Sequence, residues 1–456
     1  MGRSVVLLVF FFSSFFSYGQ QSSVVEPEVG DSWSDLVVNL EEVDQITEWW
    51  NIFNDPLLTS LVQQTIKSNY NVQSGLQRLE QSRIMYQQSR SYLMPSLEYS
   101  LSYATSNLNQ PVNGLNGYGT SVRFNWEVDV FGRIKAQTEA SKYNIDVASE
   151  DQRYLLLSIL SEVTQSYVRM RMFQNQIIVS EENIEVQKDL VRLTQSEFES
   201  GLKSKVDFLQ AETILNTTMA SIKAIESKVA NEINLIKVLM GKMPESIYQG
   251  LVQKQSLPAL PENIQTLVPR EALRNRPDVK RVENQILSLM ATTKSAKKDL
   301  LPKLTLSGNI GFNSESADQW FEQSAMNYFV GPTLTWNLFQ GKRAKNEVKL
   351  QQSKVDQFEL NYKNTLLTAV KEVENNLVNI QKLEESNEWL ERGVKSSKGA
   401  LKLSIDQYSQ GLIDYQPLLS SQQTLLKNQN SLIVSQGSLL IEIVLLYQSL
   451  GGDKSE

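Results

Sequence analysis

A seven-residue spacing of apolar side chains runs through two neighbouring stretches, 133–200 and 202–240, that contain neither glycine nor proline. Its positions are Leu156, Val163, Met170, Ile177, Ile184, Val191, Phe198, Phe208, Leu215, Ile222, Val229 and Ile236. A sustained spacing of seven is typical of helices that pack as left-handed coiled coils. Ordinary globular helices stop after about 8–20 residues. The pattern therefore predicts two unusually long helices with a break at Gly201.

The same pattern occurs a second time, 210 positions further along the chain. The segments 198–215 (FESGLKSKVDFLQAETIL) and 408–425 (YSQGLIDYQPLLSSQQTL) share an aromatic residue, a glycine three positions later, a leucine and an apolar helical stretch. The shifted heptad positions stay apolar with one polar exception. They are Leu366, Val373, Ile380, Asn387, Val394, Leu401, Tyr408, Leu418, Leu425, Leu432, Leu439 and Leu446. We therefore expect this chain to build one helical hairpin twice.

A different spacing precedes each predicted hairpin, because apolar and polar residues alternate in the segments 94–103, 121–128, 302–312 and 331–338. A spacing of two over about ten residues predicts a strand with one apolar and one polar face. Alternation alone suits a soluble two-layer sheet as well as a transmembrane β-barrel. The aromatic content, together with the export signal described below, favours the barrel and its aromatic girdles. The residues expected in this membrane belt are Tyr99, Tyr103, Phe124, Trp126, Tyr328 and Trp336.

Each half of the chain opens with a shorter helical pattern, so both halves are predicted to run helix, strand, strand, long helix, long helix. The first repeat, with an N-terminal segment, spans 20–241, and the second, with a C-terminal tail, spans 269–456. The stretch between them, 242–268, is rich in proline, which is typical of a linker. We interpret it as a linker or equatorial segment. The predicted fold class is mainly α with a small β part.

Four strands are too few to close a barrel that spans a membrane, because the smallest such barrels have eight. An open sheet edge in lipid costs roughly several kcal/mol for each unpaired backbone group. The barrel must therefore be shared between copies of the chain, with eight strands from two copies or twelve from three. The long helices also indicate assembly from several copies, since a heptad face needs partner helices.

The first 19 residues are predicted to be a signal peptide. Arg3 precedes an apolar run from Val5 to Phe16, and the small residues Ser17 and Gly19 stand before Gln20. This order of charge, apolar run and small residues is that of a cleaved export signal. The run is too short for a spanning helix, and we expect none in the mature chain.

The composition excludes several classes of function. The chain has no cysteine and no histidine, which removes disulfides, thiol nucleophiles, Cys or His zinc sites and imidazole chemistry. Its net charge is −7, with acidic and basic residues interspersed, unlike the basic surface of a nucleic-acid-binding protein. The sequence contains no nucleophile–base set and no phosphate-binding loop. We therefore expect no enzymatic activity, no cofactor, no metal site and no nucleic-acid partner.

Five motifs resemble a known family of exported proteins. They are WWNIFNDPLLTSLV (49–62), WEVDVFGRIKAQ (126–137), LRNRPDV (273–279), LLPKLTLSG (300–308) and WNLFQGKR (336–343). With the two turn motifs, they make nearly all of the mature chain similar to the TolC-like outer-membrane efflux proteins, especially the OprM/NodT branch of RND-type efflux outer-membrane factors. The resemblance implies a homotrimer with a twelve-stranded barrel in the lipid bilayer of the bacterial outer membrane. A periplasmic tunnel of twelve long helices would lie below the barrel.

The resemblance also implies a function and two protein partners. The trimer would be the passive exit duct of a tripartite efflux pump for small molecules. Its partners would be a periplasmic adaptor (membrane fusion) protein and an inner-membrane RND-type transporter. Members of this branch commonly begin with a lipidated cysteine. This chain has no cysteine, so we expect it not to be an N-terminal lipoprotein and to be anchored by the barrel alone.

The two turn motifs have the residues of helix ends. Gly201 and Gly411 are each predicted to close a long helix in the left-handed conformation. Ser204 with Asp207 forms a capping box for the next helix, while Asp414 is the N-cap of the last helix and Pro417 lies in its first turn. The resemblance implies that these turns form the periplasmic tip where the adaptor docks. The docking residues would be Gly201, Leu202, Ser204, Gly411 and Pro417.

The resemblance also implies a gate at this tip. The family often carries acidic residues on the second hairpin, but the matching positions here are Pro417 and Ser420, and the basic partner position is Ile413. We therefore expect the constriction to consist mainly of Tyr408 and of apolar or neutral groups. Asp207 and Asp414 would add at most one carboxylate ring each, with helix capping as the alternative role for both. The candidate gate residues are Tyr408, Leu412, Ile413, Asp414 and Asp207.

Two other functions are compatible with the sequence. A type I secretion duct for proteins would have the same fold and different partners. An exported coiled-coil structural protein or adhesin would need the helices but not the alternating aromatic strands. Extraction that depends on detergent would separate this last alternative from an outer-membrane channel.

Overall fold

A computed structural model describes residues 40–42, 48–104, 117–245, 249–261, 264–266 and 269–452. The predicted signal peptide, 1–19, lies outside the described residues. The helices are α1 (Pro56–Ser68), α2 (Tyr70–Ser91), α3 (Arg133–Glu199), α4 (Lys205–Leu239), α5 (Gln249–Val252), α6 (Pro269–Asn275), α7 (Pro277–Lys298), α8 (Arg343–Ser409) and α9 (Tyr415–Ser449). The strands are β1 (Leu40–Glu42), β2 (Ser96–Ala104), β3 (Gly117–Val128), β4 (Ile264–Thr266), β5 (Lys303–Ser314) and β6 (Met326–Thr335).

The predicted pair of repeats is confirmed by elements of matching length. Helices α3 and α8 each have 67 residues, and the helices that follow them, α4 and α9, each have 35. The short helices α2 and α7 each have 22. Within each hairpin the two helices pack along their length, and α9 also packs against α3. The described hairpins therefore lie side by side in the order α4, α3, α9, α8, which leaves α4 and α8 at the two ends.

The four predicted strands form one antiparallel sheet in the order β2, β3, β5, β6. Its register places Leu97 opposite Phe124, and Val122 opposite Ile310, so apolar residues share one face. Those of β2 are largely exposed, with 73% of the surface of Leu97 accessible. The opposite face carries the small and polar residues of the alternation. An exposed apolar face opposite a polar face is what a barrel wall in lipid requires.

Two tryptophans of the predicted membrane belt lie where the sheet meets the helices. The Trp126 indole N–H donates to the Leu93 carbonyl at 2.9 Å. The Trp336 indole N–H, one residue beyond β6, donates to the Leu300 carbonyl at 3.1 Å. An indole with a satisfied N–H and an apolar body suits a membrane–water boundary.

The largest core lies midway along the long helices. Trp49 and Trp50 are buried, and the Trp49 ring stacks on Tyr447 with a centroid distance of 5.9 Å. The segment predicted as a linker contributes to this core, because Leu251 and Ile264 are buried in it. Strand β4 of this segment also pairs in parallel with β1. Leu251 and Ile264, with the partly buried Leu257, thus join this segment to the same core as the two tryptophans.

Helix α9 is long and apolar enough to cross a membrane, by length and composition only. We expected no spanning helix in the mature chain. Half of its most apolar stretch is buried inside the chain, where it packs against α8 and α3. Side chains such as Leu439, Ile443 and Leu446 belong to the main core. Their burial is that of a packed core helix, and it explains the apolar composition without a bilayer.

Candidate functional site

The two hairpin turns lie at the same end of the helices and have the same backbone. Gly201 has φ +71° and Gly411 has φ +72°, as predicted for glycines that close a helix. The Leu202 N–H donates to the Glu197 carbonyl, and the Leu412 N–H donates to the Gln407 carbonyl, both at 2.9 Å. These bonds satisfy carbonyls that the helix end leaves open. The chain thus ends both long helices with one turn geometry.

Replacing Gly411 with valine should therefore destabilise the tip, whereas valine at Gly393 should not. A left-handed conformation costs a residue with a Cβ about 1–2 kcal/mol, and more for a β-branched one. Gly393 lies inside α8, where an added Cβ comes no closer than 3.9 Å to the Asn428 side chain. We expect Gly411→Val to lower the thermal stability of the detergent-solubilised protein by several degrees, as measured by scanning fluorimetry. Equal effects of the two variants would show that the positive φ is not required.

The helices that leave the turns begin differently from each other. The Ser204 hydroxyl accepts a hydrogen bond from the Val206 N–H at 3.1 Å, so Ser204 is the predicted N-cap. The bond that Asp207 would return in a capping box is not found among the described residues. Asp414 stands at the N-cap of α9, but its side chain makes no capping bond. Pro417 lies in the first turn of α9, as predicted. The N-cap position predicted for Asp414 is thus confirmed, but neither carboxylate makes a capping hydrogen bond among the described residues.

Tyr408 is buried within the single chain and does not line an open surface there. Only 1% of its surface is accessible, and its hydroxyl donates to Glu197 Oε2 at 2.7 Å. The Tyr415 ring packs edge-on against it at 5.6 Å, and the Lys203 Nζ lies 5.4 Å from its ring centroid. The physical reason is that Tyr408 continues the buried heptad seam of α8. Its ring therefore joins the first hairpin to the second within one chain.

The other predicted gate residues are more exposed. Leu412 is 68% accessible, and Leu202 in the matching turn is 75% accessible. Ile413 is half-buried and packs against the cluster of apolar residues at the tip. Asp414 is exposed, whereas Asp207 is half-buried. Each turn thus exposes one leucine, and each has one aspartate a few residues further along the chain.

Negative charge is concentrated around the buried tyrosines. Burial raises the pKa of the Asp207 carboxyl, and the charges of Asp414 and Glu197 raise it further, although Lys203 opposes them. Burial and then the charge of Asp207 raise the pKa of Tyr415 to about 12. Burial and the hydrogen bond to Glu197 also raise the pKa of Tyr408. The Tyr408 phenol therefore stays protonated at neutral pH and donates a hydrogen bond to the Glu197 carboxylate.

Sequence reasoning missed three members of this site, Glu197, Lys203 and Tyr415. A comparison of the two repeats could have found the first, because Glu197 corresponds to the neutral Gln407. A charge present in only one of two matching turns indicates a contact that is made in only one of them. Tyr415 is the first residue of α9 and directly follows the predicted N-cap, Asp414. Among the described residues no group of three or more acidic side chains could hold a metal ion.

The sequence matches the protein family described as Outer membrane efflux protein over residues 61–242 and 268–452. The chain therefore belongs to this family, whose members are non-enzymatic outer-membrane efflux channels. It is 28% identical over 380 residues to Nodulation protein T of Rhizobium leguminosarum bv. trifolii, covering 82% of this chain and 81% of that protein. It is 24% identical to the toluene efflux pump outer membrane protein TtgF of Pseudomonas putida, covering 90% and 86%.

A solved structure has the same fold over nearly the whole chain. The outer-membrane channel OprN superposes with a TM-score of 0.85 at 26% identity, covering 94% of this chain and 99% of that one. The predicted fold class, a helical tunnel with a β-barrel part, is thereby confirmed. The chain is located in the bacterial outer membrane.

Proposed function

We propose that three copies of this chain form the passive exit duct of a tripartite efflux pump for small molecules. The observation that carries the proposal is the four-stranded sheet. Its apolar face is exposed, and its outer strands β2 and β6 each have one edge that pairs with no other strand in the part of the chain that the structure describes. A sheet with two open edges is not stable in lipid. Three copies would supply twelve strands, which is enough to enclose a water-filled passage.

The proposed duct has two protein partners. A periplasmic adaptor would dock on the hairpin tips, where Gly201, Ser204, Gly411 and Pro417 set the shape and Leu202 offers an exposed apolar contact. An inner-membrane RND-type transporter would drive the cargo, as expected of a protein similar to the outer membrane protein of a toluene efflux pump. The duct itself would catalyse no reaction and hold no cofactor.

The proposed gate lies at the tip and is closed by contacts within each chain. The bond from Tyr408 to Glu197 ties the second hairpin to the first. The charge of Asp414 raises the pKa of Asp207. In three copies the two carboxylates would form a ring of negative charge. Such a ring concentrates cations at a narrow opening. Tyr408 would thus act as a tie between hairpins and not as the lining of the pore.

The test of this function combines assembly with transport. The detergent-solubilised protein should have the mass of three chains, and its deletion should make the bacterium more sensitive to several unrelated toxic compounds. A monomer or a dimer in mass measurement would refute the shared twelve-stranded barrel. Normal resistance with the loss of one secreted protein would instead support a type I secretion duct, which has the same fold. Re-expression of the native chain is the control.

A further inference from the structure

We propose that one row of side chains on the inner face of the barrel wall is a contact site for aromatic anions that pass through the duct. The row takes one residue from each strand of the sheet, in register: Glu98, Arg123, Asn309 and Phe329. The inference rests on the proposed three-copy barrel, because only a closed barrel turns this face toward a water-filled lumen. It adds a binding site and a class of cargo to that passage.

The row lies on the polar face of the sheet, although Phe329 is aromatic. Side chains alternate along a strand, so Phe329 lies on the opposite face from Tyr328 and Val330. The register pairs Phe329 with Asn309, and Asn309 with Arg123. The ring therefore shares a face with the polar residues. In a transmembrane barrel this face lines the interior.

The row is bulkier than the rows on either side of it. The next row toward the helices consists of Ser96, Asn125, Ser307 and Gly331. The next row away from the helices consists of Ser100, Ser121, Gly311 and Asn327. Rows on one face are roughly 7 Å apart along the strands. The long side chains of Glu98, Arg123 and Phe329 therefore extend further into the lumen than those of either neighbouring row.

The Phe329 ring is open to the lumen in the single chain. Its side chain is 58% accessible, although exposure of an aromatic ring to water is unfavourable. The next residue on the same face is Gly331, where an added Cβ would meet no atom within 4 Å. Aromatic rings pair in offset-stacked or edge-to-face arrangements. An exposed ring with free space beside it can therefore pair with a ring of a passing molecule.

Arg123 supplies a positive charge that is only weakly paired. Its Nη1 lies 3.8 Å from Glu98 Oε2, and the two side chains are 61% and 69% accessible. Exposed pairs of this kind contribute little, and a guanidinium has five N–H donors. Glu98 stands on the side of Arg123 away from Phe329, whereas the neutral Asn309 stands between Arg123 and the ring. The guanidinium can therefore bind a second carboxylate on the side that faces the ring.

The spacing of charge and ring defines the class of cargo. Arg123 and Phe329 lie two strands apart, which is about 10 Å, and the long Arg123 side chain can cover part of this distance. The Asn309 amide donates to Asn327 at 3.2 Å, toward the neighbouring row. A flat molecule with an aromatic ring at one end and an anionic group at the other can thus touch both residues. An aromatic cation would be repelled by Arg123, and a saturated anion would gain nothing from Phe329.

The site is weak, as a duct requires. Its contacts are few and exposed to water, and in three copies the row would occur three times around the lumen. Conduction needs binding that is favourable enough to admit a molecule but weak enough to release it. The row would therefore favour aromatic anions during passage without blocking the barrel.

Binding of 2-naphthoate to the protein in lipid nanodiscs tests the site. Saturation-transfer NMR measures the apparent dissociation constant of such a weak ligand, and nanodiscs without protein give the background. We expect Phe329→Ala and Arg123→Gln each to raise this constant about three- to tenfold, because ring pairing or a charge-assisted hydrogen bond is lost. Tyr328→Ala is the matched control, since it removes a ring from the adjacent position on the lipid face. It should change the constant by less than about twofold.

Two further probes separate the ring from the charge. Cyclohexanecarboxylate has the charge without the aromatic ring, so its binding should respond to Arg123→Gln and not to Phe329→Ala. The cation 2-naphthylmethylammonium should bind the Arg123→Gln variant at least as well as the native protein. Phe329→Leu keeps an apolar side chain without the ring face, and it replaces Phe329→Ala if that variant does not assemble.

Each variant is first checked for the mass of the native assembly. An unchanged constant for 2-naphthoate in the Phe329 variants, or an equal loss in Tyr328→Ala, would overturn the site. If the native protein is not a trimer, the proposed function fails. If it is a trimer whose binding of 2-naphthoate depends on neither Phe329 nor Arg123, only this inference fails.

Discussion

Removing the hydroxyl of Tyr408 is expected to raise the resting conductance of the channel strongly. In Tyr408→Phe the ring still fills its buried site, but the 2.7 Å bond to Glu197 is lost. A hydrogen bond to a charged group contributes about 1.5–3 kcal/mol, and each 1.4 kcal/mol changes an equilibrium about tenfold. Each copy has one such bond. Losing it should therefore remove much of the free-energy difference that favours the closed tip over the open tip.

Single-channel recording in planar bilayers measures this effect, and Tyr415→Phe is the matched control. Tyr415 packs against Tyr408 in the same cluster, yet its hydroxyl makes no hydrogen bond among the described residues. The control should keep the low native conductance, and Glu197→Gln should lie between the two because an amide oxygen still accepts. If Tyr408→Phe conducts like the native channel, the bond is not the closing contact. A gate made by Leu412, Ile413 and the two aspartates would then be the better interpretation.

Replacing Arg276 with alanine is expected to destabilise the protein strongly. Arg276 is 6% accessible and donates to Asp278, to Glu372 and to the Ser449 carbonyl at the end of α9. Burial works against its charge, but the hydrogen bonds and charges of Asp278 and Glu372 hold the pKa of Arg276 above its usual value. Breaking a buried ion pair from one side costs about 3–5 kcal/mol. Since Glu372 is partly exposed, we expect the lower end of this range.

The measurement is the thermal unfolding of the protein in detergent, with Arg281→Ala as the control. Arg281 also faces a carboxylate, Asp151 at 3.7 Å, but both side chains are about half exposed. Exposed pairs contribute roughly 0–1 kcal/mol. We expect Arg276→Ala to lower the unfolding temperature by about 5 °C or more, or to abolish recovery from the membrane, while the control stays within a degree or two. Similar unfolding temperatures for both variants would show that the bonds from Arg276 to Glu372 and to the Ser449 carbonyl do not stabilise the protein.

Local patterns predicted most of the fold because each followed from a single periodicity. The heptads from Leu156 to Ile236 marked the long helices, and the alternation from Leu97 to Tyr103 marked a strand with two different faces. The shift of 210 positions predicted hairpins of equal length. The prolines in 242–268 predicted a linker or equatorial segment, but they did not indicate that Leu251 and Ile264 are buried.

The site was harder to predict than the fold, as the gate residues illustrate. The sequence placed Tyr408 at the tip correctly but could not tell on which side of its helix the ring would find a partner. Glu197 lies more than 200 positions away in the chain, and only the packing of the two hairpins brings its carboxylate to the Tyr408 hydroxyl. Asp414 looked like a cap because of its position alone, yet its side chain makes no capping bond.

The sequence by itself determined the elements, their repetition and the faces that need partners. Periodicity is a local property, and it is sufficient for these because a helix or strand is defined by residues a few positions apart. Only the tertiary structure decided which side chains meet between elements, such as Tyr408 with Glu197 or Arg276 with Ser449. Those contacts depend on how two hairpins lie against each other, and that arrangement is the balance of all the packing along roughly a hundred ångströms of helix.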